Sequence, residues 1–288
     1  MLFRSRAAGG TGWNDPSPHG GTGAPGPASQ HFINLGGTGV SMTVSYSGNM
    51  WDNRSTPNIY GAEAPFAAVK NSLRWTNNRS DSGGAPSAAN GPTQVTIEFS
   101  QPIFLHDFTV ATLSKLLNHE RYEWIEVQAF DHNGAPVIAT GLAPGTYDSN
   151  NDFLLRPDSP FVLTDDNGLY RVRGTSTQGT CPDLCGYDRL TFNYATTPIQ
   201  RIELTHYTTT GPTVDSSRTT QQSSVAIEGF TFALPVDFGD LPESAGYATT
   251  LANNGARHQL SPNLLLGTLV DDEPDGQPHP TALGDDAN

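Results

Sequence analysis

The residues best suited to chemistry gather near the end of this 288-residue chain. Asp271, Asp272, Glu273 and Asp275 are followed by Asp285 and Asp286, and no Lys or Arg stands after Arg257. Asp271, Glu273, Asp275 and Gly276 follow the D-x-[DN]-x-[DN]-G opening of a calcium loop, with Glu at the third position. An EF-hand would need Glu at the twelfth position, where this chain has Ala282, so the segment is not an EF-hand. Ca²⁺ takes about six to eight oxygen ligands in flexible geometry, and Asp285 and Asp286 can add to such a shell. Clustered carboxylates repel one another without a cation, which is the physical reason to expect Ca²⁺ here. A solvated acidic tail is the plainer alternative. Two further acidic stretches, Asp148–Asp152 and Asp165–Asn167, read as turns, because Asx side chains cap their own backbone.

Cys181 and Cys185 are the only cysteines, separated by Pro182-Asp183-Leu184. A Pro-Asp turn brings two Cα atoms within bridging distance, so a disulfide and an oxidising compartment are expected. Two separate buried thiols are the alternative. A zinc site would need a second pair of ligands of this kind. Enzyme chemistry finds little footing. No G-x-S-x-G, H-E-x-x-H or phosphate-binding glycine loop occurs. His106-Asp107 and His119-Glu120 are adjacent pairs, which regular strands send to opposite faces. Trp51, Trp75 and Trp124 are candidate glycan-stacking residues. Trp124 shares its side of a strand with Glu126, which leaves room for exposure; a core or inter-sheet position is the plainer reading for each. Asn53-Arg54-Ser55 and Asn78-Arg79-Ser80 match glycosylation acceptors.

The formal charge of −14 argues against nucleic-acid binding, which needs Lys and Arg against phosphates. No run reaches the roughly 20 apolar residues of a membrane helix. Met1–Arg6 leads into Ala-Gly-Gly with no apolar core of a secretory leader, which reads as a leader missing, removed or misassigned; a cytoplasmic home is the alternative.

The elements that must position these residues are strands. Residues 1–30 form a Gly/Pro-rich arm that cannot bury a core of its own and is expected to lie against another surface. From His31 the texture alternates. Met42, Val44 and Tyr46 share a face, as do Val95, Ile97 and Phe99; Ile125, Val127 and Ala129; Leu190, Phe192 and Tyr194; and Ile202 with Leu204. Val225, Ile227, Phe230 and Phe232 close the series. Asp131-His132-Asn133-Gly134 and Asp166-Asn167-Gly168 are hairpin turns by composition. A short helix is expected only around Thr112–Glu120. This pattern predicts an all-β, antiparallel β-sandwich of jelly-roll or lectin-like type over 31–235, with the N-terminal arm before it and a C-terminal extension, 236–288, after it.

Both parts resemble known families. Asp237-Phe238-Gly239-Asp240, Asn254-Gly255-Ala256-Arg257-His258, Ser261-Pro262-Asn263-Leu264, the Asp271–Gln277 run and Gly284-Asp285-Asp286 resemble, in order, the opening of the GEVED module of secreted bacterial surface proteins. That family continues into a further acidic run, so the module is expected to be incomplete. Gln94–Ile103 resembles a strand of the lectin-like domains of CshA-type adhesins, and Ile125–Gly134 and Ile227–Phe232 resemble its following hairpin and closing strand. The resemblance implies an extracellular, non-enzymatic surface protein. Leu264, Leu265, Leu266, Leu269 and Val270 are then a candidate assembly surface, since a truncated module has little with which to cover them. Two readings stand: a fibre subunit assembling head-to-tail with copies of itself through its extensions, and a lectin-like module binding glycans or host proteins.

Overall fold

The structure is a computed structural model that describes residues 3–4, 29–48, 50–56, 72–77, 92–113, 115–116, 121–147, 153–154, 160–175, 187–209, 218–219, 224–259 and 275–281. Among them the strands are β1 (Phe3–Arg4), β2 (Ser29–Phe32), β3 (Met42–Gly48), β4 (Met50–Thr56), β5 (Ser72–Asn77), β6 (Thr93–Leu113), β7 (Lys115–Leu116), β8 (Arg121–Phe130) and β9 (Pro136–Val137). They continue as β10 (Gly141–Tyr147), β11 (Phe153–Leu154), β12 (Phe161–Thr164), β13 (Tyr170–Arg173), β14 (Tyr187–Thr209), β15 (Arg218–Thr219), β16 (Ser224–Ala233), β17 (Val236–Phe238) and β18 (Arg257–Gln259). The pairing is antiparallel throughout, and the fold is all-β and sandwich-like.

Two long strands make the sandwich. The first half of β6 pairs with the second half of β14 and with β3, and β14 there also pairs with β8. This layer runs β12-β13-β8-β14-β6-β3-β2. The second half of β6 pairs with the first half of β14 and with β16. That layer runs β11-β10-β14-β6-β16-β5-β4. β6 and β14 therefore pass from one layer to the other. The register slips at the crossing, between Tyr194↔Leu105 and Ile199↔Ile103. Pro102 and Pro198 sit at this corner, where a strand must bend and need not donate to the ladder.

The alternation seen in the sequence supplies the core. Every residue of the six sets named above is buried. Rings from the two layers meet edge-on: Phe99 with Phe230 at 5.7 Å and Tyr170 with Phe192 at 5.4 Å between centroids. Such contacts contribute about 0.5–1.5 kcal/mol beyond the area they bury.

The two hairpin turns are built alike. Asp131 Oδ1 accepts the N–H groups of Asn133 (2.9 Å) and Ala135 (2.8 Å), and Asp165 Oδ1 accepts those of Asn167 (2.9 Å) and Leu169 (3.1 Å). Only the glycine of each turn, Gly134 or Gly168, takes positive φ. Asp165–Asn167 is accordingly a capped turn.

The helix expected at Thr112–Glu120 is corrected. β6 continues through Leu113, and Lys115 and Leu116 register with Tyr122 and Arg121. Sheet partners at Asp188 and Ala226 outweigh the weak propensity of so short a segment.

Candidate functional site

The edge of β16 is the place where the fold receives an extension. On one side β16 registers with β6, with Thr231 opposite His106 and Phe232 opposite Leu105. On the other side β5 covers only Ser224–Ile227. Beyond it lies β1, with Phe3 opposite Phe232 and Arg4 opposite Thr231. The core rings of Phe230 and Phe232 back directly onto this edge.

A bulge in β6 shapes the same place. Leu105 and Phe108 both face the core, so the two residues between them do not alternate as a regular strand would. Asp107 adopts φ 54°, a left-handed conformation uncommon for Asp in a strand. Its N–H donates to Asn193 Oδ1 (3.0 Å), and its Oδ2 accepts the Thr231 hydroxyl (3.2 Å). The Thr109 hydroxyl donates to the Asp107 carbonyl (3.0 Å) and lies 2.8 Å from the Thr191 hydroxyl. This corrects the expectation that His106 and Asp107 diverge. The carboxylate bonded to Thr231 and the backbone N–H bonded to Asn193 together tie the β6 bulge to β16 and β14.

The outer face of the first layer carries a second cluster. Phe161, Arg173, Trp124 and Tyr207 stand side by side across β12, β13, β8 and β14. The Arg173 guanidinium lies over the rings of Phe161 (4.4 Å), Tyr122 (4.8 Å) and Trp124 (5.6 Å), and desolvation lowers its pKa. Trp124 stacks on Tyr207 with an interplanar angle of 4°, and its Nε1 donates to Thr209 Oγ1 (3.0 Å). Trp124 is fully buried, as is Trp75, so the core reading holds for both and neither presents a face for glycan stacking. The reason for Trp124 is a second small apolar layer outside the sheet. Phe161 keeps 38% exposure. The backbone of Trp51 and Asn53 lies in β4, and Asn78–Ser80 lies outside the described residues.

Past β16 the chain forms a small knot of its own around β17 and β18. Thr249 is buried, and its hydroxyl donates to the Leu241 carbonyl (2.5 Å). Gly255 and Gly276 press against the Thr249 carbonyl so closely that a Cβ would stand 2.0 Å and 2.1 Å from its oxygen. Glu243 Oε1 accepts Asn253 Nδ2 (2.8 Å) and the Thr250 hydroxyl (2.9 Å), and these bonds hold its carboxyl below the usual range. Asp275 Oδ1 accepts the N–H groups of Leu251 (2.5 Å) and Gly276 (2.8 Å). Leu241, Tyr247 and Ala248 border an open recess of about 320 Å³.

Asp275 is thus the one carboxylate of the expected Ca²⁺ shell that the structure places, and there it caps a turn. Asp271, Asp272, Glu273, Asp285 and Asp286 lie outside the described residues, as do Leu264, Leu265, Leu266, Leu269, Val270, Cys181 and Cys185. Asp148–Asp152 lies outside them too. Among the described residues no three His, Cys, Asp or Glu side chains are grouped to hold a metal ion. No helix among them is long and apolar enough to cross a membrane. The β16 edge, the Asp107 bulge and the Glu243 cap were not singled out from sequence. The run Glu228-Gly229 inside an apolar strand is the signal that marks the bulged edge.

A scan against protein-family models and searches of curated proteins and of solved structures found no match.

Proposed function

We propose that this chain is a non-enzymatic extracellular subunit, of the bacterial surface-fibre kind, that assembles with copies of itself through its terminal extensions. The observation that carries this reading is β1 on the β16 edge. An extension with no core of its own is seated on a sheet edge whose other side is the core of the sandwich. Strand addition of this kind gives affinity through main-chain hydrogen bonds. The acidic tail, Asp271–Asp286, binds Ca²⁺ and steadies the joint, and Cys181 and Cys185 form a disulfide outside the cell.

Negative-stain microscopy and sedimentation of the full chain, with calcium and with a chelator, test this. Fibres that shorten or vanish on chelation are expected, together with two cysteines that resist alkylation without reductant. A protein that stays monomeric in both conditions sinks the reading. The adhesion-module alternative draws on Phe161, half exposed beside the Arg173 guanidinium. A monomer that binds a glycan array, and loses that binding on Phe161→Ala, would put it first.

A further inference from the structure

We propose that the β12 edge is a self-complementary joint, at which a second copy of this chain adds its own β12, antiparallel, about a two-fold axis at Leu163. This goes beyond the fibre-subunit reading and does not use the terminal extensions.

The edge is open. β12 ends its layer and registers with β13 alone, and Phe161, Leu163 and Thr164 are exposed. The Asp165 N–H donates to the Leu169 carbonyl (3.2 Å), which fixes the phase of the hairpin ladder. Leu163 and Phe161 therefore turn their backbone groups toward β13, and Val162 and Thr164 turn theirs outward. Those four outward groups have no partner among the described residues. Charged side chains, prolines or bulges normally blunt such an edge. Phe161-Val162-Leu163-Thr164 contains none of them, and its register with β13 is unbroken.

The same groups select a second copy. Opposed residues of an antiparallel pair share a face of the sheet, so Leu163 must meet another outward-facing residue. With Leu163 opposite Leu163, Val162 lies opposite Thr164 at both ends, and every outward N–H and C=O of the two strands finds a partner. The neighbouring register, Val162 opposite Val162, sets Thr164 against Pro160, which has no N–H to give. A copy presents this match by symmetry, as in any isologous contact.

Charge is matched in that register too. Asp165 falls opposite the second copy's Phe161, whose ring lies under the Arg173 guanidinium at 4.4 Å. Asp165 and that Arg173 are two strand spacings apart, about 10 Å between Cα atoms, which an Arg side chain spans. Asp165 Oδ2 stands 3.9 Å from Arg171 of its own chain, and its side chain keeps 35% exposure, so it has room for a second cation. The two-fold axis makes this contact twice, on either side of the paired leucines.

Sedimentation equilibrium of the full chain tests it, in chelator and with dilution until only the smallest species remain. The unsubstituted chain should give a dimer. Leu163→Lys sets two ammonium groups face to face at the centre of the joint, at a position whose exposure spares the fold. Thr164→Pro removes an outward N–H and no bond to β13, at an edge site that tolerates proline. Each should raise the dimer dissociation constant by about 10-fold or more, since Thr164→Pro alone deletes two main-chain bonds per joint. Near-UV circular dichroism should stay unchanged in both. A chain that is monomeric at every concentration overturns the proposal and leaves the edge to a strand of another protein. A dimer that a folded Leu163→Lys or Thr164→Pro chain keeps at full strength overturns it as well, and places the contact on another surface. Neither result touches the fibre reading, which fails separately if no fibres form with calcium.

Discussion

His206 shows how much of this fold rests on single polar residues in apolar places. It faces the core from β14, between Ile125 and Thr93 in register, with the Trp75 ring edge-on at 6.4 Å. Burial keeps the imidazole neutral and pushes its pKa down to about 3. The unfolded residue titrates near 6.5, so between those values the unfolded chain holds the extra proton. Its stabilising contribution is therefore complete above about pH 6.5 and is lost as the pH falls toward about 3. Stability should drop by up to about 1.4 kcal/mol per pH unit in that window from this group alone. Urea unfolding of His206→Leu at several pH values should show a shallower acid slope; an identical slope would assign the acid sensitivity to other groups. Burial raises the pKa of the Tyr194 and Tyr170 hydroxyls, and the Tyr170 hydroxyl accepts the Ala139 N–H (2.7 Å). Trp124 makes a second case. Its removal empties a volume enclosed by Phe161, Tyr207 and Arg173, so Trp124→Ala should cost about 3–5 kcal/mol in chemical denaturation. A change under about 1 kcal/mol would mean that the outer layer collapses freely into the gap. Residue-level alternation placed Trp124 on the polar side of its strand correctly. It did not foresee Phe161, Tyr207 and Arg173 arriving there, because they come from distant strands whose register is a tertiary fact.

Among the elements, turns and strands were the most legible. Alternation identifies strands because one face must bury apolar groups, and each of the six alternating sets lies in a buried strand face. Asp131 and Asp165 cap their turns because a short carboxylate reaches its own backbone two and four residues on. The segment after Ala111 misled, since short runs of moderate helix formers take the structure their partners impose. The C-terminal knot was legible as an ordered motif but not as a packing device. Its glycines work by absence: nothing larger fits against the Thr249 carbonyl. Gly276→Ala should therefore loosen the knot while leaving the sandwich intact. Arg257, in β18, gives a direct readout. Tryptic cleavage after Arg257 should become several-fold faster, with the main thermal transition unmoved. Unchanged cleavage would show that the contact with Thr249 relaxes without loss. The same knot should respond to acid in its own range. The hydrogen bonds of Glu243 favour its charged form, so they hold above the ordinary carboxylate pKa and fail as the pH falls through the lower folded value.

At the scale of the whole molecule, the two layers share their central strands. β6 carries Val95, Ile97 and Phe99 in one layer and Leu105, Phe108 and Val110 in the other. β14 does the same with Leu190, Phe192 and Tyr194 against Ile202 and Leu204. Neither layer can detach without tearing both strands across the Pro102 and Pro198 corner. The sandwich should thus open as one unit. β17 and β18 stand apart: they pair only with each other, and a lone two-stranded sheet is marginal in water. Phe238 is buried there beneath the Arg257 guanidinium, outside the main core. Hydrogen exchange followed by mass spectrometry should accordingly sort the chain into two classes. Amides of 95–110 and 190–206 should exchange slowest and at one common free energy, irrespective of layer. Amides of 236–259 should exchange faster by at least ~10-fold, which corresponds to about 1.4 kcal/mol less protection. Assembly adds a third expectation: if a second copy occupies the β12 edge, the amides of Val162 and Thr164 should gain protection in the dimer relative to dispersed subunits. Distinct free energies for the two layers would refute the shared-strand account, and a knot as slow as the sandwich would show that it is welded to the body by contacts beyond its own two strands.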